Sequence, residues 1–476
     1  LHSDVLIVGA GSAGSVLAER LSADDRCRVT VLESGPGLSE PDVAALTANG
    51  SLLPIGAASP VVRRYRTMLT EKPTRVAQII RGAVVGGSGA VNGGYFCRAR
   101  PRDFDGWDIP GWKWHDVIEH FRAIENDLDF GGPSHGDSGP IPVHRTIEFA
   151  PTTGNFVRRA HEVGYPWIPD LNAGEAVPGS GVGAVPLNIT DGIRANPGAV
   201  YLQSALARPN LTLRTHTRAR RLRVTSRRAV GVDAHGPQGP VCLTADRIVL
   251  CAGAIESAHL LMLSGIGGEA ALRRVGTPIV ARLPVGERCS DHPEWVLPTD
   301  WTTAPGRPVL EAILVTADDL EIRPYTGGFV AMIGDGTAGR PDWPHIGVAL
   351  MQPRSRGRLT LMSADPTIAL QIEHRYDTDP GDVALLQRGA ELAREICSPV
   401  THLGGPLWST SQHLCGSAPL GNDGDEHAVL DPRCRVRGVD GLWVIDGSVL
   451  PVITSRGPHA SIVMLAHLAA DFVRAG

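Results

Sequence analysis

The stretch Asp4-Val-Leu-Ile-Val-Gly-Ala-Gly-Ser-Ala-Gly14 decides the fold of this chain. Val5 to Val8 is a short continuous apolar run, the pattern of a parallel strand buried on both faces. Gly9, Gly11 and Gly14 follow at G-x-G-x-x-G spacing, and Ser12 to Leu21 carries a helical pattern. Gly9 permits a tight turn, Gly11 lets backbone amides approach a pyrophosphate, and Gly14 lets the helix pack closely on the strand. Ser12 and Ala13 then open the helix, where free N–H groups and a partial positive charge suit an anion. Val29 to Leu32 reads as the next strand and ends at Glu33-Ser34, about where an acid takes a ribose hydroxyl. A glycine triplet alone is only a flexible turn. Strand, loop, helix, strand and acid in register define a dinucleotide-binding unit.

The chain has 476 residues, room for about two to four domains around a large core. A net charge of −5 argues against a nucleic-acid surface. The basic residues are nearly all arginine, with only Lys72 and Lys113 as lysines. Eight cysteines are scattered without a C-x-x-C pair, which fits a reducing cytosol better than a disulfide framework or a zinc site. The first strand starts within five residues, leaving no room for a signal peptide, and no apolar run reaches the ~18–20 residues of a spanning helix. The expectation is a soluble cytoplasmic protein without a metal site, open to peripheral membrane contact.

Residues 35–80 read as irregular, because Pro36, Pro41, Pro54, Pro60 and Pro73 interrupt any long helix. Next comes Arg81-Gly-Ala-Val-Val-Gly-Gly-Ser-Gly-Ala-Val-Asn-Gly-Gly-Tyr95, then Asp103-Phe-Asp-Gly-Trp107. So many small residues suit a backbone wrapped against a flat ligand. Residues 110–130 read as a helix with Trp114, Val117, Ile118, Phe121 and Ile124 as its core stripe. The Gly- and Pro-rich residues 131–195 read as a thread between domains or over the site. Short strands are expected at 211–213, 222–224, 230–232 and 247–251. Apolar runs at 310–315, 328–333, 346–351, 359–361 and 368–372 fit an antiparallel sheet. Near the end, Leu442 to Ile445 is a strand with Asp446-Gly447 at its carboxyl end, where α/β sheets bind ligands. Pro458 suits a first helical turn and puts His459 there.

Residues 81–107 resemble the first signature of the glucose–methanol–choline (GMC) oxidoreductase family. Gly253-Ala-Ile-Glu-Ser-Ala-His-Leu-Leu-Met-Leu-Ser-Gly-Ile-Gly267 resembles the second, and residues 413–466 resemble the catalytic end. Residues 196–210 and 286–293 also match in order, so the resemblance covers most of the chain. It implies an α/β (α+β overall) protein, with a Rossmann-like FAD-binding domain and an antiparallel-sheet substrate domain. The FAD domain takes residues 1–150, 196–285 and 406–476, with a connecting segment at 151–195 and the substrate domain at 286–405. The substrate segment is short for the family, so the cap over the pocket is expected to be reduced.

The resemblance further implies FAD contacts at Arg81, Gly86, Gly87, Ser88, Asn92, Gly93, Ala252, Gly253, Asp446, Gly447, Pro458 and His459. Ala219 is carried over more loosely, from a backbone contact to adenine. The family reaction moves a hydride from a carbinol carbon to flavin N5 while a base takes the hydroxyl proton. A histidine suits that task, with an unperturbed pKa of about 6.5. His413 and His459 match the two active-site positions, His413 as the expected base and His459 as its partner, with the roles exchangeable. The helix N-terminus is expected to keep His459 neutral. His427, His467 and His402 have no motif around them and read as surface or core. Cys415 reads as a small buried residue, and Asp291-His292 as a structural turn.

Val91 stands where some family members attach FAD covalently through histidine, so non-covalent FAD is expected. Ser417 and Leu420 replace the usual Thr and Met after the first catalytic histidine, a mild departure. The whole chain is most similar to the mycofactocin-associated branch, which implies oxidation of mycofactocinol to mycofactocinone and electron transfer to a respiratory carrier. A general alcohol or choline-type dehydrogenase or oxidase, or an FAD-bound lyase without net redox, are the alternatives. Aromatic residues make up only 5% of the chain, which argues mildly against a choline cage.

Overall fold

A computed structural model describes residues 2–174, 177–332, 344–398 and 405–476. The first apolar run is the strand His2–Val8, at the centre of a seven-stranded sheet. It lies parallel to Val29–Leu32 on one side and to the long strand Gly239–Leu250 on the other. Leu211–Arg214 extends the parallel part beyond Val29–Leu32. The far edge of Gly239–Leu250 is shared by two partners. Its first half pairs antiparallel with Arg228–Gly236, itself paired with Arg218–Thr225, and its last residues pair parallel with Leu442–Val444. All four residues of Val29–Leu32, and Val5 to Val8, are buried, as expected for strands covered on both faces.

A second sheet of six strands is antiparallel throughout. Its order is Leu407–Thr410, Pro293–Pro298, Pro344–Leu350, Leu320–Gly328, Ala312–Val315 and Gly181–Ala184. The two-residue period of its strands separates two environments. Leu314, Leu320, Ile322 and Val348 pack with helices Pro151–Glu162 and Pro380–Cys397, while Ile313 and Val315 pack on the opposite face with Ile168 and Leu171. Glu321, Arg323 and Tyr325 alternate with Leu320 and Ile322 and so face away from those helices.

Residues 35–80 are more regular than their sequence suggests. They hold the helix Pro41–Ala48 and a hairpin, Val62–Glu71 with Thr74–Gly82. The prolines do not prevent this, because Pro41 opens the helix, where no N–H is needed, and Pro73 lies in the turn. The hairpin also takes in Arg358–Thr360 and Gln371–Glu373, so the apolar runs at 359–361 and 368–372 belong here and not to the six-stranded sheet. The run at 328–333 contains the short helix Phe329–Met332 instead of a strand, and its last residue lies outside the described residues, as does His402. The helix expected over 110–130 is the shorter Trp114–Ile124, stopped where Glu125–Asp127 becomes a strand. Residues 131–195 hold the helix Pro151–Glu162 and the strand Gly181–Ala184, so this segment builds the second sheet as well as connecting. The eight cysteines are all free. Among the described residues no helix is long and apolar enough to cross a membrane.

Candidate active site

One elongated cavity of about 1190 Å³ runs from the first glycine motif to the histidines of the C-terminal block. Its volume exceeds the roughly 300–1,000 Å³ of an ordinary small-ligand pocket. At one end, the helix Ser12–Ser22 begins from Gly11 with no side-chain cap and no acid in its first turn, leaving its N–H groups free toward the cavity. A Cβ on Gly14 would lie 1.9 Å from the Gly9 carbonyl oxygen, so only glycine lets the helix approach the turn this closely. Gly87, at φ +55°, touches the same turn from the second glycine stretch, where a Cβ would meet Gly11 Cα at 2.7 Å. The two glycine motifs therefore stack backbone to backbone.

Of the residues singled out by the motifs, Gly9, Gly11, Ser12, Ala13, Glu33 and Ser34 line this end of the cavity. Arg81, Gly87, Ser88, Asn92 and Gly93 line it from the second stretch, and Ala219, Ala252, Gly253, Asp446, Gly447, Pro458 and His459 from the later chain. Gly14 and Gly86 do not line it. Glu33 is buried, and its carboxylate accepts the Ala10 N–H (3.0 Å) and the Gly35 N–H (2.9 Å), so it also braces the glycine loop. Burial raises its pKa against those hydrogen bonds. Asp446 is a brace of the same kind. It accepts the Gly253 N–H (2.8 Å) and Ser257 hydroxyl (2.6 Å) on one oxygen, and the Ser448 N–H (2.8 Å) and hydroxyl (2.6 Å) on the other. Its carboxylate is thus filled by internal donors.

His413 and His459 also line the cavity, and their proton positions follow from their partners. His292 is fully buried, and its Nε2 donates to the Thr454 carbonyl at 3.0 Å, because a carbonyl can only accept. Its Nδ1 is therefore a lone pair in the neutral ring, and the 2.8 Å contact with His413 Nδ1 requires His413 to donate. His413 Nε2 is left without a proton and without a partner among the described residues. Asp291 fixes the same assembly, accepting the backbone N–H groups of His413 (2.7 Å) and His292 (2.8 Å) and the Tyr376 hydroxyl (2.9 Å). Asp291-His292 therefore does more than shape a turn, as the sequence reading has it: it holds His413. The sequence signal was an acid–histidine pair ahead of a strand, which without a nucleophile gives no hint of its partner.

His459 has the opposite proton order. Asn92 turns its oxygen to the Gly94 N–H (2.9 Å), so its amide nitrogen faces His459 Nδ1 at 3.2 Å and donates. The His459 proton then sits on Nε2, a buried donor with no partner among the described residues. A Cβ on Gly89 would come within 2.8 Å of that nitrogen, so this glycine keeps the space beside it open. The helix His459–Ala475 starts at His459, with Pro458 as its N-cap. Burial lowers the pKa of His459 to about 4, with Arg194 as a second cause, and that of His292 to about 4. Burial is thus the main cause at His459, where the helix N-terminus was expected to act. The pKa of His413 falls well below 6.5, through burial first and then through His292, Arg323, Arg81 and His459. Cys415, beside His413, is buried, and its thiol is pushed well up by burial.

A family model described as GMC oxidoreductase matches residues 3–294, and a second with the same description matches residues 353–466. An uncharacterised GMC-type oxidoreductase of Rhodococcus erythropolis is 39% identical over 98% of this chain and 97% of its own length. Pyridoxine 4-oxidase of Microbacterium luteolum is 30% identical over 97% and 98%, and oxygen-dependent choline dehydrogenase of Brucella anthropi 30% over 99% and 96%. The crystal structure of pyridoxine 4-oxidase from Mesorbium loti superposes with a TM-score of 0.89 at 27% identity, covering 100% of this chain and 99% of that one. The chain belongs to the GMC oxidoreductase family. It is accordingly an FAD-dependent oxidoreductase acting on CH–OH groups. The residues present fit that cofactor: an uncapped helix N-terminus and stacked glycines line the cavity, and the His459 Nε2–H close to Ser12 has no partner among the described residues.

Proposed function

We propose that this enzyme oxidises an alcohol with His413 as the base and His459 as hydrogen-bond donor to the substrate oxygen. The observation that carries the reading is the opposite proton order of the two rings, one offering a bare Nε2 and the other an Nε2–H. A bound hydroxyl needs such a pair: an acceptor for its proton and a donor for its oxygen. Both rings are neutral at pH 7 because they are buried, so His413 is ready to accept. FAD, when bound, supplies the acceptor for the hydride that leaves the carbinol carbon. Gly11, Ser12 and Gly87 would hold its pyrophosphate, and Glu33 and Ala219 flank the adenosine side. Binding is non-covalent, since Val91 offers no nucleophile.

The substrate reading is mycofactocinol, oxidised to mycofactocinone, with the electrons passed to a respiratory carrier at the inner face of the membrane. It rests on the resemblance of the sequence to that branch and on a chain shorter than some relatives. The alignment with the Brucella anthropi enzyme spans 539 positions while this chain has 476 residues, so insertions in that relative have no counterpart here. A second reading, a smaller alcohol, is favoured by the likeness to pyridoxine 4-oxidases in sequence and in fold. Anaerobic bleaching of the flavin band in FAD-loaded enzyme separates them, with reduced mycofactocin, pyridoxine and simple alcohols as donors. Mycofactocinol alone should bleach the band at micromolar concentration. Bleaching by pyridoxine or a simple alcohol at similar concentration would remove the mycofactocin reading, and none by any alcohol would remove alcohol oxidation itself. Acid precipitation of the same sample should leave all the flavin in the supernatant.

A further inference from the structure

The cavity wall near His413 carries one acid and one guanidinium group, Glu294 and Arg323, backed by a second buried pair, Glu321 and Arg456. Arg323, on Leu320–Gly328, reaches Glu294 on the neighbouring part of the sheet. Its Nη1 donates to Glu294 Oε2 (3.1 Å) and Ser411 Oγ (2.7 Å), and its Nε and Nη2 donate to Glu321 Oε2 (3.1 and 2.9 Å). The other oxygen of Glu294 accepts the Tyr325 hydroxyl at 2.8 Å, and Ser411 Oγ donates to Oε2 at 2.8 Å. Glu321 Oε1 accepts the Tyr95 hydroxyl (2.9 Å) and lies 3.5 Å from Arg456. All four charged groups are buried, at 3% (Glu294), 4% (Arg323), 0% (Glu321) and 2% (Arg456) exposure, and their formal charges cancel.

Glu294, Arg323, Tyr95, Tyr325 and Trp408 all line the cavity. An acid among aromatic rings is the chemistry that holds a quaternary ammonium group. Here that chemistry is disabled. Both oxygens of Glu294 are occupied, and a guanidinium in direct contact cancels its charge. A cation entering the cavity would lose its hydration beside Arg323, with no unpaired carboxylate to replace it. An uncharged alcohol incurs no such penalty.

We propose that Arg323 sets the charge specificity of this pocket: by neutralising Glu294 it makes the enzyme select uncharged alcohols over quaternary-ammonium alcohols. The inference deepens the alcohol-oxidation reading and rests on it only for which part of the cavity receives the substrate. Choline and 3,3-dimethylbutan-1-ol have nearly the same shape and differ in charge, so the pair isolates the effect. Binding to the FAD-loaded enzyme is read from perturbation of the flavin absorbance, without need of turnover. Wild type should favour the neutral alcohol by about tenfold or more. Arg323→Met, with the hydrogen-bonding Arg323→Gln as a second variant, should swing the ratio toward choline by about tenfold or more. Arg323→Lys, which keeps the charge, should retain the wild-type ratio. A wild type that favours choline overturns the proposal by itself, even if the neutral variants fail to hold FAD. An unchanged ratio in FAD-loaded variants, or no choline binding in them, also overturns it. Because both alcohols meet the same base, the ratio does not depend on which histidine takes the proton. An enzyme that keeps the expected ratio but is reduced by no alcohol fails only the functional reading.

Discussion

His292 and His413 meet Nδ1 to Nδ1 at 2.8 Å, and His120 and His467 do the same at 2.9 Å, at the junction of helices Ser12–Ser22, Trp114–Ile124 and His459–Ala475. The two pairs share a local chemistry, and burial lowers the pKa of every ring in them. They differ at the outer nitrogen. His467 Nε2 accepts Arg20 Nη1 at 2.7 Å, whereas His413 Nε2 has no such donor among the described residues and its ring borders the cavity. A guanidinium closes one pair into a structural clasp. An unfilled lone pair leaves the other able to take a proton. A histidine pair is therefore no sign of catalysis until its last nitrogen has been traced.

Substitutions can break this contrast at three places. The largest effect is expected from His413→Ala, which removes the acceptor and should slow anaerobic flavin reduction by about 1000-fold in stopped flow, with FAD still bound. An unaffected rate would sink the base assignment. His292→Leu leaves His413 in place but removes the acceptor that fixes its proton on Nδ1. Reduction should slow about 10- to 100-fold, and His292→Gln, which can accept from His413 and donate to Thr454, should recover most of the loss. Equal losses in Leu and Gln variants would make His292 a packing residue.

His467→Leu should leave the reduction rate within about twofold and cost about 1–2 kcal/mol of stability at pH 7, measured by denaturant unfolding. Its pH signature has a definite sign. The native pKa of His467, about 3, lies below the unfolded value near 6.5. Between these values the unfolded chain binds more protons, so stability falls as pH drops from 6.5 toward 3. The Leu variant should show a shallower fall, with a remaining slope from His292 and His459, each near 4. A steep loss of activity at pH 7 would mean the clasp reaches the site after all.

The nucleotide side of the fold was legible in the chain because its demands are local. Val5 to Val8, the spacing of Gly9, Gly11 and Gly14, and Glu33 at the end of Val29–Leu32 each answer to a neighbour a few residues away. His413 and His459 were legible only through motif context, and the cavity holds both. The strand Leu320–Gly328 was missed because the face opposite Leu320 and Ile322 carries Glu321, Arg323 and Tyr325, which breaks any apolar run. The hairpin at 62–82 was missed because Pro60 precedes it, Pro73 sits in its turn and arginines fill it.

By itself the sequence determined the Rossmann-like unit, since periodicity and glycine spacing are read along the chain, while its resemblance to the family implied FAD and the two histidines. Only the tertiary structure decided that His292 orders the proton on His413, that Asn92 orders the one on His459, and that Arg323 silences Glu294. These contacts join residues 121, 367 and 29 positions apart. Hydrogen bonds and ion pairs act over a few ångströms, and chain separation carries no record of which side chains folding brings within that distance.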